Sequence, residues 1–262
     1  MKIALCFFGE ARTAVYTAPW FNECLKGLDL SMLGVCLKLK GYEPNSISNT
    51  GKYQLKPRDI LDAYTSQPSF HRKAYFSLVN NFSKLDPKKG YWHFSRLFWA
   101  LNHSLHFYNS WARTHGDVDL LILSRPDCLL GPTPDYFRRW VKSLELHKYD
   151  LFTAPGLMKF NTAADYGLGI GDFALAGSPF SLNMLLSTTI GAVVRASVND
   201  HRRYHFGPNI YLKHALDDSG LHHQTIPLNV ALVRSSADLS LPVLESFNYH
   251  ADFWKSDHKG IK

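Results

Sequence analysis

The stretch "DLLILSRPDCLLGP", residues 119–132, runs from four apolar residues into a polar knot of Ser124, Arg125, Pro126 and Asp127, then returns to Leu129 and Leu130. A short apolar run closed by turn residues is the pattern of a strand buried on both faces. The segment before it points to the fold class. "GYWHFSRLFWALNHSLHFYNSWARTHGD" repeats Phe94, Leu97, Phe98, Leu101, Leu105, Tyr108 and Ala112 at three- and four-residue steps, and Gly116 stops it. Helix, glycine turn, buried strand and polar exit follow in the order expected of an α/β chain.

Working outward, "IALCFF" closed by Gly9 reads as a second buried parallel strand, and "EARTAVYTAPWFNECLKGL" as a helix with Ala14, Trp20, Phe21, Cys24 and Leu25 on a loose apolar face. "LDLSMLGVCLKL" holds another strand, with "KGYEPNSISNTG" as a loop and a short helix expected from Arg58 to Tyr64. "YDLFTAP" at 149–155 is a strand. "IGDFALAGSPFSLNMLLSTT" is a strand or loop followed by a helix, "GPNIYLKHALDDSGL" a helix closed by Gly220, and "HHQTIPLNVALVR" a last strand. The alternation predicts a single α/β domain over residues 1–262, a mostly parallel central sheet flanked by helices. Ligands of such sheets sit beyond the carboxyl ends of the strands, which puts "GEAR" at 9–12 and "SRPD" at 124–127 on one rim.

Composition sets bounds on function. The chain is 45% hydrophobic and 19% charged, ordinary for a globular domain that buries a core, and 29 Lys and Arg against 22 Asp and Glu give a formal charge of +7. That excess permits phosphate-bearing ligands, anionic membrane surfaces or nucleic acid, but no run of five like charges marks a nucleic-acid arm. Cys6, Cys24, Cys36 and Cys128 show no CxxC spacing and are read as reduced thiols of a cytoplasmic protein. The six apolar residues from Ile3 to Phe8 are too few for a signal peptide, and no transmembrane segment is expected.

A carboxylate at a strand exit beside an arginine suits a diphosphate ligand carrying a divalent metal: the hard ion takes carboxylate oxygens and bridges the phosphates, while the guanidinium forks onto the remaining charge. Asp127 and Arg125 fit those roles, and they equally fit a structural ion pair. In "GLGIGDFALAGS", 167–178, three glycines allow close backbone approach and Asp172 can act as a general base or hold a sugar hydroxyl. The third glycine of a dinucleotide fingerprint is replaced there by Asp172, so that reading is discarded, and no GxxxxGK[ST], HExxH or GxSxG is present. His103 and His106 on the aromatic helix are read as satisfied or solvated rather than metal-bound. "HH" at 222–223 and "YHFGP" at 204–208 are read as surface chemistry before metal ligands.

Taken in order, these pieces resemble a family of small nucleotide-sugar-dependent glycosyltransferases of GT-A type, found in microbes and their viruses. Members open on a strand ending in a Ser-Gly-Gln-x-Arg-like turn, matched by Phe8, Gly9, Glu10 and Arg12; they carry an aromatic helix leading to an Arg-x-Asp strand exit, matched by "LLILSRPD". An Asp before a small apolar Gly-Ser turn is matched by "GDFALAGS", and a Gly-Pro-Glu helix start by "FGPNIYLKHAL". Glu10 replaces the usual amide, Asn209 stands where a carboxylate is usual, and Arg125 occupies the first position of the usual Asp-x-Asp metal signature.

The resemblance implies transfer of a sugar from a nucleoside-diphosphate sugar to an acceptor hydroxyl on a glycan, polysaccharide or modified nucleic acid. Residues 1–130 would be the nucleotide-sugar-binding half and 131–262 the acceptor side. Phe8, Gly9, Glu10, Arg12, Arg125 and Asp127 would contact the donor, with Mn²⁺ or Mg²⁺ on Asp127 stabilising the leaving diphosphate and Asp172 facing the acceptor. Two other classes stand beside it: a non-catalytic nucleotide-sugar-binding module, and a nucleotidyltransferase-like enzyme that would release pyrophosphate.

Overall fold

The computed structural model describes residues 1–10, 14–37, 74–79, 92–131, 133–155, 170–199, 208–225 and 230–232. Its centre is two adjacent parallel strands, β1 (Ile3–Glu10) and β4 (Leu120–Ser124), paired from Ile3 opposite Leu120 to Phe7 opposite Ser124. Outside β1 lie β2 (Leu30–Leu37) and then β3 (Ala74–Val79), both parallel to it. Outside β4 lie β7 (Ile170–Gly177), β6 (Leu151–Pro155) and β8 (His223–Thr225), giving a seven-stranded order β3-β2-β1-β4-β7-β6-β8. β7 runs antiparallel to both neighbours while β6 and β8 run with β4, so six strands share one direction and one is reversed. A separate two-stranded antiparallel sheet joins β5 (Cys128–Leu130) to β9 (Val230–Leu232).

Apolar residues on consecutive positions of β1 and β4 serve two layers at once. Ile3, Leu5, Phe7, Leu120 and Ile122 enter one cluster, with α1 (Ala14–Leu25) and α3 (Pro134–Ser143) contributing Phe21, Phe137 and Trp140. Ala4, Cys6, Phe8, Leu121 and Leu123 enter the other, with α2 (Trp92–His115), α4 (Pro179–Asn199) and α5 (Pro208–Ser219) supplying Leu101, Leu105, Leu185 and Leu212. Every one of these strand residues is at most 1% exposed, and each large side chain so buried stabilises the fold by about 1.5–3 kcal/mol. Consecutive burial with period-2 division between two helical layers is why these strands read as unbroken apolar runs.

The aromatic helix forms as expected and ends where expected: Gly116 takes φ +80° and its N–H donates to the Ala112 carbonyl at 2.7 Å. Lys2 Nζ adds a charged cap on the His115 carbonyl at 2.8 Å. Four departures from the sequence expectation stand out. α3, β3 and β5 were not foreseen, and "HHQTIPLNVALVR" forms two short strands in different sheets, β8 and β9, rather than one. Pro227, which lies between them in sequence, has no N–H to give to a ladder. The short helix expected at 58–64 lies outside the described residues. Cys6, Cys24 and Cys128 are buried, and burial pushes the Cys24 thiol well above its ordinary range, against a smaller opposing pull from Arg138. Among the described residues no helix is long and apolar enough to cross a membrane.

Candidate functional site at the carboxyl ends of β1 and β4

From β1 the chain's crossovers run one way to β2 and β3, and the other way to β4; the order reverses between β1 and β4. In open α/β sheets such a switch point leaves a crevice outside the carboxyl ends of the two strands. β1 extends three residues past the end of its pairing with β4, through Phe8, Gly9 and Glu10. Phe8 is buried in the α2 layer, so it anchors the strand end rather than facing a ligand. Gly9 takes φ +89°, a left-handed conformation that L side chains resist, although a Cβ there would meet nothing within 4 Å. Glu10 reaches the rim by its backbone; its side chain, and Arg12 altogether, lie outside the described residues.

The β4 exit is a tight turn. Cys128 N–H donates to the Arg125 carbonyl at 3.4 Å, with Pro126 presetting φ at the second turn position. Ser124 Oγ donates to the Arg125 carbonyl at 3.2 Å, and Thr17 Oγ1, from the first turn of α1, donates to the Pro126 carbonyl. The amino end of α1 is thereby tied to the β4 exit. The turn brings Arg125 and Asp127 together in a side-on fork: Nε donates to Asp127 Oδ1 at 2.9 Å and Nη2 to Oδ2 at 2.7 Å. The Cys128 thiol also lies 3.7 Å from Oδ1. The Asp127 side chain is 1% exposed and that of Arg125 is 19%, so the carboxylate lies beneath and the guanidinium reaches toward the surface.

Asp172 arrives from the far side of β4. Ser124 pairs with Ala174, and because β7 is reversed, residues 170–172 continue beyond the β4 carboxyl end. The backbones of Gly9, Glu10, Arg125, Asp127 and Asp172 therefore share one rim. The Asp172 side chain is outside the described residues.

A hard divalent cation takes about six or more oxygen ligands. Both Asp127 oxygens already accept guanidinium N–H groups, the carboxylate is covered, and among the described residues no group of three His, Cys, Asp or Glu side chains is placed to hold a metal. The described residues do not fit a divalent cation at Asp127.

No protein-family model matches the chain, and no curated protein matches it. Among solved structures, it is similar to that of the galactosyltransferase LgtC in complex with donor and acceptor sugar analogues, with a TM-score of 0.48 and 9% identity over 96% of this chain and 95% of that one. Likeness at that level carries nothing about substrate or residues. The chemistry has to come from the rim itself.

The remaining candidates lie elsewhere. His222 and His223, with Leu216, Asp217 and Gly220, line an open cavity of about 350 Å³. His223 is level with Leu151, and through Gly177 with Leu121, so this pair sits at the amino end of β8, on the edge opposite the rim. His103 on α2 is held below the ordinary imidazole range by burial and by neighbouring His106. Of "YHFGP", Tyr204 to Gly207 are outside the described residues; Pro208 opens α5 and Asn209 lies in its first turn. Sequence reasoning named the rim residues but missed Thr17. Its signal was a hydroxyl in the first turn of the helix that follows β1.

Proposed function

We propose that this chain is a glycosyltransferase whose donor, a nucleoside-diphosphate sugar, lies on the β1–β4 rim. The supporting observation is the placement of a buttressed guanidinium, Arg125, at the switch point of the sheet, next to the amino end of α1. Both features favour anionic groups: the guanidinium forks onto phosphate oxygens, and the helix end presents backbone N–H groups with a partial positive charge. Residues 1–130 form the donor side and 131–262 the acceptor side.

In the reaction the anomeric carbon–oxygen bond to the diphosphate breaks, and the electron pair leaves with the diphosphate. An acceptor hydroxyl oxygen bonds to the anomeric carbon and gives up its proton. Arg125 stands where the leaving group's charge grows, which lowers the barrier by electrostatic stabilisation. Asp172, entering the rim on β7, takes the acceptor proton if the configuration inverts, and positions the donor sugar if it is retained. The acceptor is a glycan or polysaccharide hydroxyl.

The test is thermal unfolding against UDP, other nucleoside diphosphates and their sugars, with and without Mn²⁺. A ligand at a hundredfold over its dissociation constant adds about 2.7 kcal/mol. For a chain of this size that is a rise of roughly 5–11 °C, at about 2–4 °C per kcal/mol. Release of nucleoside diphosphate with acceptor present identifies glycosyl transfer, whereas release of pyrophosphate identifies nucleotidyl transfer. Failure of every nucleotide and nucleotide sugar to raise the midpoint would sink the reading.

A further inference from the structure

We infer that Asp127 is a positioning residue rather than a metal ligand: it holds Arg125 so that the guanidinium binds the ligand's phosphates, and phosphate binding needs no divalent cation on Asp127. The ligand class rests on the function proposed above; the role of the pair rests on its own geometry.

Three observations carry it. The fork is bidentate, 2.9 and 2.7 Å, and occupies both oxygens through which Asp127 could reach a cation. The burial is unequal, with the Asp127 side chain 1% exposed and that of Arg125 19%, so a hydrated ion would have to lose its water and displace the fork to reach Asp127. The turn is clamped, by Thr17 on the Pro126 carbonyl and by Cys128 N–H on that of Arg125, so the pair is built into the exit of β4 rather than improvised by two flexible side chains.

The chemistry is consistent with that order. The side-on fork engages Nε and Nη2 of the Arg125 guanidinium. Holding one edge of the plane fixes the direction of the other, which reduces the rotamer freedom Arg125 loses when phosphate binds. Asp127 offsets part of the Arg125 charge, and the adjoining amino end of α1 adds positive potential at the same turn. A cation on the β4 exit is thus supplied by the Arg125 side chain itself.

The test is calorimetric titration of the intact chain with two probes, a nucleoside diphosphate and inorganic pyrophosphate, each in EDTA and in Mn²⁺. We expect wild-type dissociation constants to differ by less than about twofold between buffers. Arg125→Lys, which keeps charge but loses the fork, should weaken both probes by about tenfold or more, the range of a charge-assisted hydrogen bond. Asp127→Asn should weaken them by about three- to tenfold by the same factor in both buffers, and should add little in an Arg125→Lys background, because its effect runs through the guanidinium. Unfolding midpoints establish that each variant is folded. The Arg125 Nε–H resonance gives an independent signature: present and slow to exchange in wild type, broadened in Asp127→Asn.

The outcomes separate the two claims. Pyrophosphate binding in EDTA without nucleotide binding upholds the role of the pair and overturns the donor. Nucleotide binding that requires Mn²⁺, with the requirement lost in Asp127→Asn, upholds the donor and overturns this inference. Loss of the free Mn²⁺ paramagnetic signal on adding wild type but not Asp127→Asn overturns it too. If neither probe binds in either buffer, both fall.

Discussion

Replacing Arg125 by Met keeps much of the aliphatic stem but removes the cation over a carboxylate whose side chain is 1% exposed. Breaking one side of a buried ion pair costs about 3–5 kcal/mol, because the charge left behind has been removed from water. Little discount applies to Asp127, which water does not reach. The reciprocal Asp127→Leu is milder, about 1.5–3 kcal/mol, since Arg125 is 19% exposed and can turn toward solvent. The double variant Arg125→Met/Asp127→Leu should return to within about 1–2 kcal/mol of wild type, since replacing both charges removes the desolvation cost along with the attraction. Urea unfolding read through the midpoint at constant slope measures all three. At about 2–4 °C per kcal/mol, Arg125→Met loses roughly 6–20 °C in midpoint. The account is refuted if Arg125→Met costs under about 1 kcal/mol, or if the two single losses simply add in the double variant.

Other positions make independent tests. Gly9→Ala should cost about 1–2 kcal/mol through its left-handed φ of +89° alone, and should weaken ligand binding at the rim; nucleotide titration and urea unfolding read the two effects. Gly177→Ala puts a Cβ 2.6 Å from the Asp150 carbonyl, where β7 meets both β4 and β6, so a loss of about 1–3 kcal/mol should appear in unfolding while rim binding is kept. The Tyr108 phenol is pushed up to about 12 by burial, against a smaller opposing contribution from the Val118 N–H that it accepts at 3.2 Å. With the folded value above the unfolded one, its contribution is intact below the ordinary value of 10.0 and lost as pH rises toward 12, and Tyr108→Phe should flatten unfolding stability across that window.

The sequence was legible where burial was two-sided. β1 and β4 announced themselves as continuous apolar runs because both faces meet helices, and α2 because its apolar positions keep helical spacing to Gly116. α3 went unread although Thr133, Pro134 and Asp135 spell a helix start: Thr133 Oγ1 accepts the Tyr136 N–H at 3.1 Å and Pro134 takes the first helical position. Its two arginines obscured an apolar stripe of Phe137, Trp140 and Val141. The reversal of β7 had no local signal, since strand direction is fixed by partners and crossovers rather than by the strand's own residues. At the site, the rule of strand carboxyl ends brought the backbones of Gly9 and Glu10 onto one rim with "SRPD", while Ala11 and Arg12 lie outside the described residues. Whether Arg125 and Asp127 would pair or part could not be read, because residue types at that spacing permit both. The turn held by Thr17 and Cys128 settles it.

The reversed β7 also sorts the chain into two kinds of junction. β7 begins at the rim with Ile170, while Gly177 and Ser178 leave at the opposite edge, where Phe180 at the start of α4 is 72% exposed. A dye or tether attached at Phe180 would therefore sit at the opposite end of β7 from the rim, leaving binding there unhindered. Changes at Ile170, where β7 begins, would instead fall on the rim. The two ends of one eight-residue strand thus offer separate handles for immobilising the protein and for altering what it accepts.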